Sequence, residues 1–221
     1  MIKTTILAFL LLLQTQPAPN PAQTPPKGAV TALPGETVEQ YWDRAYTNPN
    51  LKLPTEPNVF LTRVAKGLKP GRALDIGIGQ GRNSIYLAKL GWDVCGFDIS
   101  ERGLEQARTA AVAAGVKMKA VKATLEDFDY GVAHWDLVVA TYEGVAWLPA
   151  AVRGLKPGGL LVMEGYSYHP KAPRGFSFRP NELVKLFMDQ NLDVVRYEDV
   201  DEEPEWIKLG RVVRIFARKP I

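Results

Sequence analysis

The chain has 221 residues, long enough for one domain with its own core, and its 46% apolar and 23% charged residues exclude wholesale disorder. A single cysteine, Cys95, excludes an intrachain disulfide framework and any Cys-x-x-Cys metal or redox site. Two of the 27 basic side chains, Lys3 and Lys27, fall in the first 34 residues, which hold no acid. From position 35 onward 25 basic and 24 acidic groups remain, too balanced to grip nucleic acid by phosphate neutralisation.

Residues 1–16 place Lys3 before the apolar run Thr4–Leu13, a positive start and a hydrophobic stretch about half as long as a membrane-spanning helix needs. They read as a signal peptide or membrane anchor. Residues 17–34, rich in Pro, Gln, Ala and Thr, read as a semi-rigid linker. The expected address is therefore export to the periplasm or tethering there, with membrane contact only through this segment; a cytoplasmic location is the alternative.

From Gly35 short β-rich runs alternate with helical ones, the pattern of a parallel sheet flanked by helices. Helices are expected over 36–46 and 58–68, the second stopped by Lys69-Pro70-Gly71. A buried strand, Arg72-Ala-Leu-Asp-Ile, then runs into glycines. Next come a helix over 82–90, a strand over 92–99, and a helix with Ser100 as N-cap and Gly115 as terminator. Strands follow at 116–123 and 135–141, then a helix over 145–154, a turn at 155–159 and a strand at 160–165. A last helix over 181–190 precedes strands at 192–200 and 211–219, whose acidic connection Asp201–Trp206 reads as a solvated hairpin loop.

The turn Asp75-Ile76-Gly77-Ile78-Gly79-Gln80-Gly81 sits where the first strand of the sheet meets a helix, the place where such sheets bind ligands. Glycines there permit positive φ and close approach of a ligand to the backbone. Arg82 stands where the dinucleotide pattern G-x-G-x-x-G requires its third glycine. Asp98, roughly twenty residues on at the end of the second strand, is placed to accept hydrogen bonds from ribose hydroxyls. The ligand implied contains a nucleoside but needs no pyrophosphate.

The run from Ala73 to Ser100 resembles motifs I and II of class I S-adenosylmethionine-dependent methyltransferases, specifically the tellurite-resistance and thiopurine type of small-molecule enzyme. Tyr41-Trp42-Asp43-Arg44-Ala45-Tyr46, Leu125–Phe128, Trp135–Val138 and Leu155–Gly159 extend the likeness over 35–221. It implies an α/β, Rossmann-like, doubly wound sheet of seven strands, mostly parallel with an antiparallel last strand and helices on both faces. It implies S-adenosyl-L-methionine as cofactor. Gly77, Ile78, Gly79 and Gly81 then line its methionine and ribose parts, and Asp75 supports the turn and the ammonium. Asp98 takes the ribose hydroxyls, Ile99, Thr124 and Leu125 surround the adenine, and Thr141 lies beside the turn. Tyr41, Trp42 and Arg44 close over the ligand, Arg44 offering a fork to its carboxylate. Thr124 departs from the family, where an Asp is common.

Methyl transfer needs in-line alignment and exclusion of water, and needs a base only when the acceptor carries its proton. Tyr142 and Glu143, after the fourth strand, and His169, after the fifth, lie at the end of the sheet where a base belongs. His134 falls at the opposite end and reads as structural, and Cys95 as a core thiol. Tyr142, Tyr166, Tyr168, Phe176 and Phe178 offer an aromatic pocket, with Arg174 and Arg179 hinting at an anionic acceptor. No metal ligands are expected. The acceptor implied by the resemblance is a small thiol, chalcogen or similar nucleophile. The alternatives are a non-catalytic nucleoside-binding protein and, against the Arg82 evidence, a nicotinamide-dependent oxidoreductase.

Overall fold

The computed structural model describes residues 33–169, 177–205 and 210–221. The leader and linker expected over 1–34 therefore lie almost wholly outside the described residues, as do Arg174, Phe176 and Trp206. Among the described residues no helix is long and apolar enough to cross a membrane.

Helix α1 (Val38–Thr47) starts at a capping box in which Thr37 and Gln40 satisfy each other's backbone N–H groups. Helix α2 (Val59–Ala65) is capped by Asn58, whose Oδ1 accepts from Leu61 N at 3.0 Å. Strand β1 (Arg72–Ile76) leads to α3 (Arg82–Lys89), and β2 (Asp93–Asp98) to α4 (Glu101–Ala113), capped by Ser100. Then follow β3 (Lys119–Lys122), β4 (Trp135–Thr141), α5 (Leu148–Gly154), β5 (Leu155–Ser167) and the two-residue β6 (Ser177–Phe178). Helix α6 (Glu182–Asp189), β7 (Asp193–Val200) and β8 (Val212–Arg218) complete the order.

The main sheet runs β3-β2-β1-β4-β5-β8-β7, parallel from β3 through β5, with β8 antiparallel to both β5 and β7. This is the expected seven-stranded arrangement. Beside it, β6 pairs with Tyr166 and Ser167, past Glu164, where β4 ends its pairing. The third strand is shorter than expected because Val116 N still bonds back to Ala111 O as α4 ends. The expected turn at 155–159 is folded into β5 as an irregularity opposite Trp135 and Leu137, with Gly158 at φ +75°.

Leu137, Val138, Val139 and Ala140 are all fully buried, so β4 is covered on both faces, as a central parallel strand must be. One face packs Leu74, Ile76, Val138 and Phe97 against Leu148, Ala151, Leu183 and Phe187 of α5 and α6. The other packs Ala73, Val94, Leu137 and Val139 against Phe60, Leu61 and Leu87 of α2 and α3, with Leu104 and Ala107 of α4 alongside. Full burial of each such aliphatic or aromatic side chain contributes about 1.5–3 kcal/mol, which fixes the sheet as a platform for whatever stands at its carboxyl edge.

Candidate active site

At the carboxyl end of β1 the chain turns through Gly77, Gly79 and Gly81, with φ of +64°, +52° and +83°. These angles favour glycine, and space demands it as well. A Cβ on Gly77 would run into the Glu143 carboxylate, and one on Gly79 would lie 2.5 Å from the Tyr46 hydroxyl. The turn is held by Ile78 N donating to Phe97 O and by Gly79 N donating to Asp98 Oδ2 at 2.9 Å. The side chain of Ile78 points away from the turn, packed over Gly96 and against Leu104 and Ala107, so only its backbone faces a ligand.

Three carboxylates converge here. Asp75 is 2% exposed and accepts from Ser84 Oγ at 2.7 Å; burial lifts its carboxyl to about 6. Asp98 is 8% exposed and also accepts from Ser100 N at 2.8 Å; burial raises it too. Glu143 makes no hydrogen bond or ion pair among the described residues, and burial together with the charges of Asp98 and Asp75 pushes it up to about 8. A turn ringed by three acids, none of them in an ion pair among the described residues, suits a ligand that brings a cation to the backbone. The ammonium and sulfonium of S-adenosylmethionine have that chemistry.

Aromatic rings lead from this turn across the end of the sheet. Trp42 and Tyr46 lie 6.0 Å apart between centroids, Tyr41 and Trp42 meet edge-on at 5.2 Å, and Tyr142 and Tyr166 lie 4.9 Å apart. Helix α1 is held in place by Asp43, which accepts from Ser100 Oγ at 2.5 Å and Arg102 N at 3.1 Å. Arg44, expected to meet the ligand carboxylate, forms its fork with Glu36 through two bonds of 2.7 Å, and that bond holds Glu36 down to about 2.

The remaining expected residues separate into two places. Ile99 and Thr124 line a cavity of about 700 Å³ beside β3, and Leu125 packs against the main core nearby. Thr141 accepts a 3.1 Å bond from Asn83 Nδ2 at the first turn of α3, which ties β4 to the glycine turn. Tyr142 stands at φ +61°, rare for a bulky residue and held only by strong local contacts. Its N–H donates to Glu164 O and its hydroxyl donates to Glu164 Oε1 at 2.6 Å. Its phenol is raised by burial and by the charges of Glu164 and Glu205. His169 lies beyond the end of β5, and His134 at the other end of the sheet, within 3.3 Å of Arg72 Nη1.

Residues 73–159 match the family model described as a methyltransferase domain. Over that stretch and beyond it, the chain is similar to class I S-adenosylmethionine-dependent methyltransferases. The chain is 34% identical over 166 residues to a ubiquinone biosynthesis O-methyltransferase of Dinoroseobacter shibae, covering 63% of each sequence. It is 26% identical over 174 residues to the probable S-adenosyl-L-methionine-dependent methyltransferase TehB of Haemophilus influenzae, covering 70% of this chain and 59% of that one. It thus spans less than two thirds of these curated relatives. A solved structure from work on the conversion of a disulfide bond into a thioacetal group during echinomycin biosynthesis shares the fold. Its TM-score is 0.66 at 20% identity, over 83% of this chain and 93% of that one.

Several residues of the methyltransferase domain and its surroundings escape sequence reasoning. Tyr46 reaches Gly79, and its signal was available: it follows Trp42 by four positions, on the same helix face. Glu164 and Arg214 are lone charges inside apolar strands, and they are register partners across β5 and β8. Arg214 Nε donates to Glu164 Oε2 at 2.5 Å, and Asn58 Nδ2 donates to Glu164 Oε1 at 2.7 Å. The acidic 201–205 stretch is solvated over Asp201–Glu203, as expected, but its end turns inward. Pro204 is buried, Glu202 takes a bond from Arg214 Nη2, and Glu205 N donates to the Tyr142 hydroxyl at 3.0 Å. Glu205 Oε2 also pairs with Arg82 Nη2 at 2.5 Å, a charge contact without hydrogen-bond alignment. That is where Arg82 goes instead of a phosphate.

Proposed function

We propose that this protein transfers a methyl group from S-adenosylmethionine to a small-molecule nucleophile of the thiol, chalcogen or similar soft class. The observation that carries the reading is the glycine turn facing buried Asp75 and Asp98 and half-buried Glu143, none of them in an ion pair among the described residues. Bound cofactor supplies an electrophilic methyl on a sulfonium. The chain's part is to seat and orient it: Gly77, Gly79 and Gly81 give the backbone surface, Asp98 the ribose contact, Ile99 and Thr124 the adenine walls. Asp75 and Glu143 lie toward the cationic end, and Trp42 and Tyr46 cover the turn. Tyr41, Tyr142 and Tyr166 give the acceptor side an aromatic wall that excludes water. With its carboxyl near 8, Glu143 is partly ionised at neutral pH and suited to take a proton from a thiol acceptor.

The relatives named for ubiquinone biosynthesis O-methylation favour a second acceptor class, a phenolic oxygen, for which a base at Glu143 is a requirement rather than an aid. Calorimetry with S-adenosylhomocysteine and with NAD tests the cofactor: binding of the former alone is expected, and binding of NAD alone overturns the reading. Asp98→Asn keeps the size of the side chain and is expected to weaken S-adenosylhomocysteine at least about tenfold, the loss of a charge-assisted hydrogen bond. A panel of thiols, selenite, tellurite and catechols then separates sulfur or chalcogen from oxygen acceptors. Export or membrane tethering through residues 1–16 is a separate proposal, checked by fusing them to a reporter that is active only outside the cytoplasm.

A further inference from the structure

The cavity of about 700 Å³ starts at Ile99 and Thr124, the residues set against the adenine in the function proposed above. It continues down the sheet face past Val121 and Cys95 to His134. Its size is that of a complete small-molecule pocket, so a purine at one end leaves most of it for something else. The groove exists because no helix joins β3 to β4. In place of one, Phe128 stacks on Phe97 with centroids 4.1 Å apart, and Tyr130 donates its hydroxyl to Leu125 O at 3.1 Å. Those two rings pack on Phe97 of β2 and leave Cys95, two residues earlier on the same strand, and Val121 of β3 half-buried. The floor is apolar, while Lys122, paired with Glu39 at 2.5 Å, stands on the rim.

Thr124 matters as much as the missing helix. Its hydroxyl donates to Asp127 Oδ2 at 2.9 Å and accepts from Asp127 N at 3.1 Å. The hydroxyl proton is thus spent on its own turn, and the residue offers the purine's exocyclic amine no carboxylate. An amine packed against a buried carboxylate tolerates a substituent poorly, because one of its two N–H donors is lost and space on that side is closed. Here the carboxylate at that end of the cavity, Asp127, is exposed to solvent, and an apolar strip lies alongside.

We propose that the adenine end of the cofactor site opens into this groove, so that the protein binds adenosyl ligands bearing an apolar N6 substituent about as well as unsubstituted ones. The proposal rests on the methyltransferase reading, and the test separates the two. Calorimetry on the full chain compares S-adenosylhomocysteine with N6-benzyl-S-adenosylhomocysteine. The expected result is affinities within fivefold of each other; a benzyl ligand more than fivefold weaker overturns the proposal while leaving the cofactor assignment in place. Failure of S-adenosylhomocysteine itself to bind overturns both. Val121→Trp fills the groove away from the glycine turn. It is expected to weaken the benzyl ligand at least tenfold and the parent less than twofold, and equal effects on both ligands place the substituent elsewhere and overturn the groove assignment. The wild-type ratio decides the matter even if the variant does not fold.

Discussion

Two groups of buried acids stand at the same edge of the sheet and are treated in opposite ways. Around Glu164 every charge has been met: Arg214, Asn58 and Tyr142 converge on one carboxylate, and Arg214 also reaches Glu198 and Glu202. Around the glycine turn, Asp75, Asp98 and Glu143 have hydroxyl or backbone donors at most, and Glu143 has neither among the described residues. Burying an ion without a partner is costly, so a fold retains such a group only where something else gains by it. The first group is therefore read as scaffold, tying β4, β5, β8 and the start of α2 into one unit. The second is read as a receptor whose counter-charge comes with the ligand.

The largest effect should come from breaking the scaffold. Arg214→Met leaves Glu164 charged and buried without its guanidinium and is expected to cost about 3–5 kcal/mol in urea denaturation. A loss under about 1 kcal/mol would mean that the network is not compensated as described. The receptor should respond with the opposite sign. The folded-state value of Glu143 lies near 8 against 4.5 for a free carboxyl, so the folded state holds that proton more tightly between these values. Stability associated with Glu143 is thus complete below about pH 4.5 and lost as pH rises toward 8. Glu143→Gln, which does not ionise, is expected to make the ligand-free protein more stable than wild type near pH 8 by at least about 2 kcal/mol, with no gain near pH 4. Equal stabilities at both pH values would remove Glu143 from the receptor.

Smaller effects sharpen the boundary between the two regions. Gly79→Ala adds a methyl at φ +52° against the Tyr46 hydroxyl and is expected to cost about 1–2 kcal/mol. Adding Tyr46→Phe should return part of that loss, since the overlap with oxygen goes and the backbone strain stays. Thermal denaturation of the single and double variants measures both terms. Outside both regions, Asp189→Asn breaks the exposed pair with Lys185 and is expected to change stability by less than about 0.5 kcal/mol. A larger change there would undermine the use of burial to rank these groups.

Much of the fold was legible from local pattern. The apolar strands, the Ser100 cap and the glycine spacing of 77–81 each report a short-range requirement, and the structure has them where they were expected. The placement of Asp75, Asp98 and Glu143 around the turn followed from knowing which end of a strand each one closes. Less was legible where partners come from distant segments. Asn58 and Glu205 meet at Tyr142 and Glu164 only because α2 and the β7–β8 connection fold over the same edge. The inward turn at Pro204 and Glu205 was not legible because its cation, Arg82, is remote in sequence.

By itself, then, the sequence determined an alternating α/β domain whose first βα turn admits a nucleoside. It did so because periodicity, caps and glycine conformations are properties of a few neighbouring residues. Only the tertiary structure decided which acids are met by a cation and which, among the described residues, form no ion pair. Charge compensation depends on approach within a few ångströms, and that distance is set by packing between elements far apart in the chain.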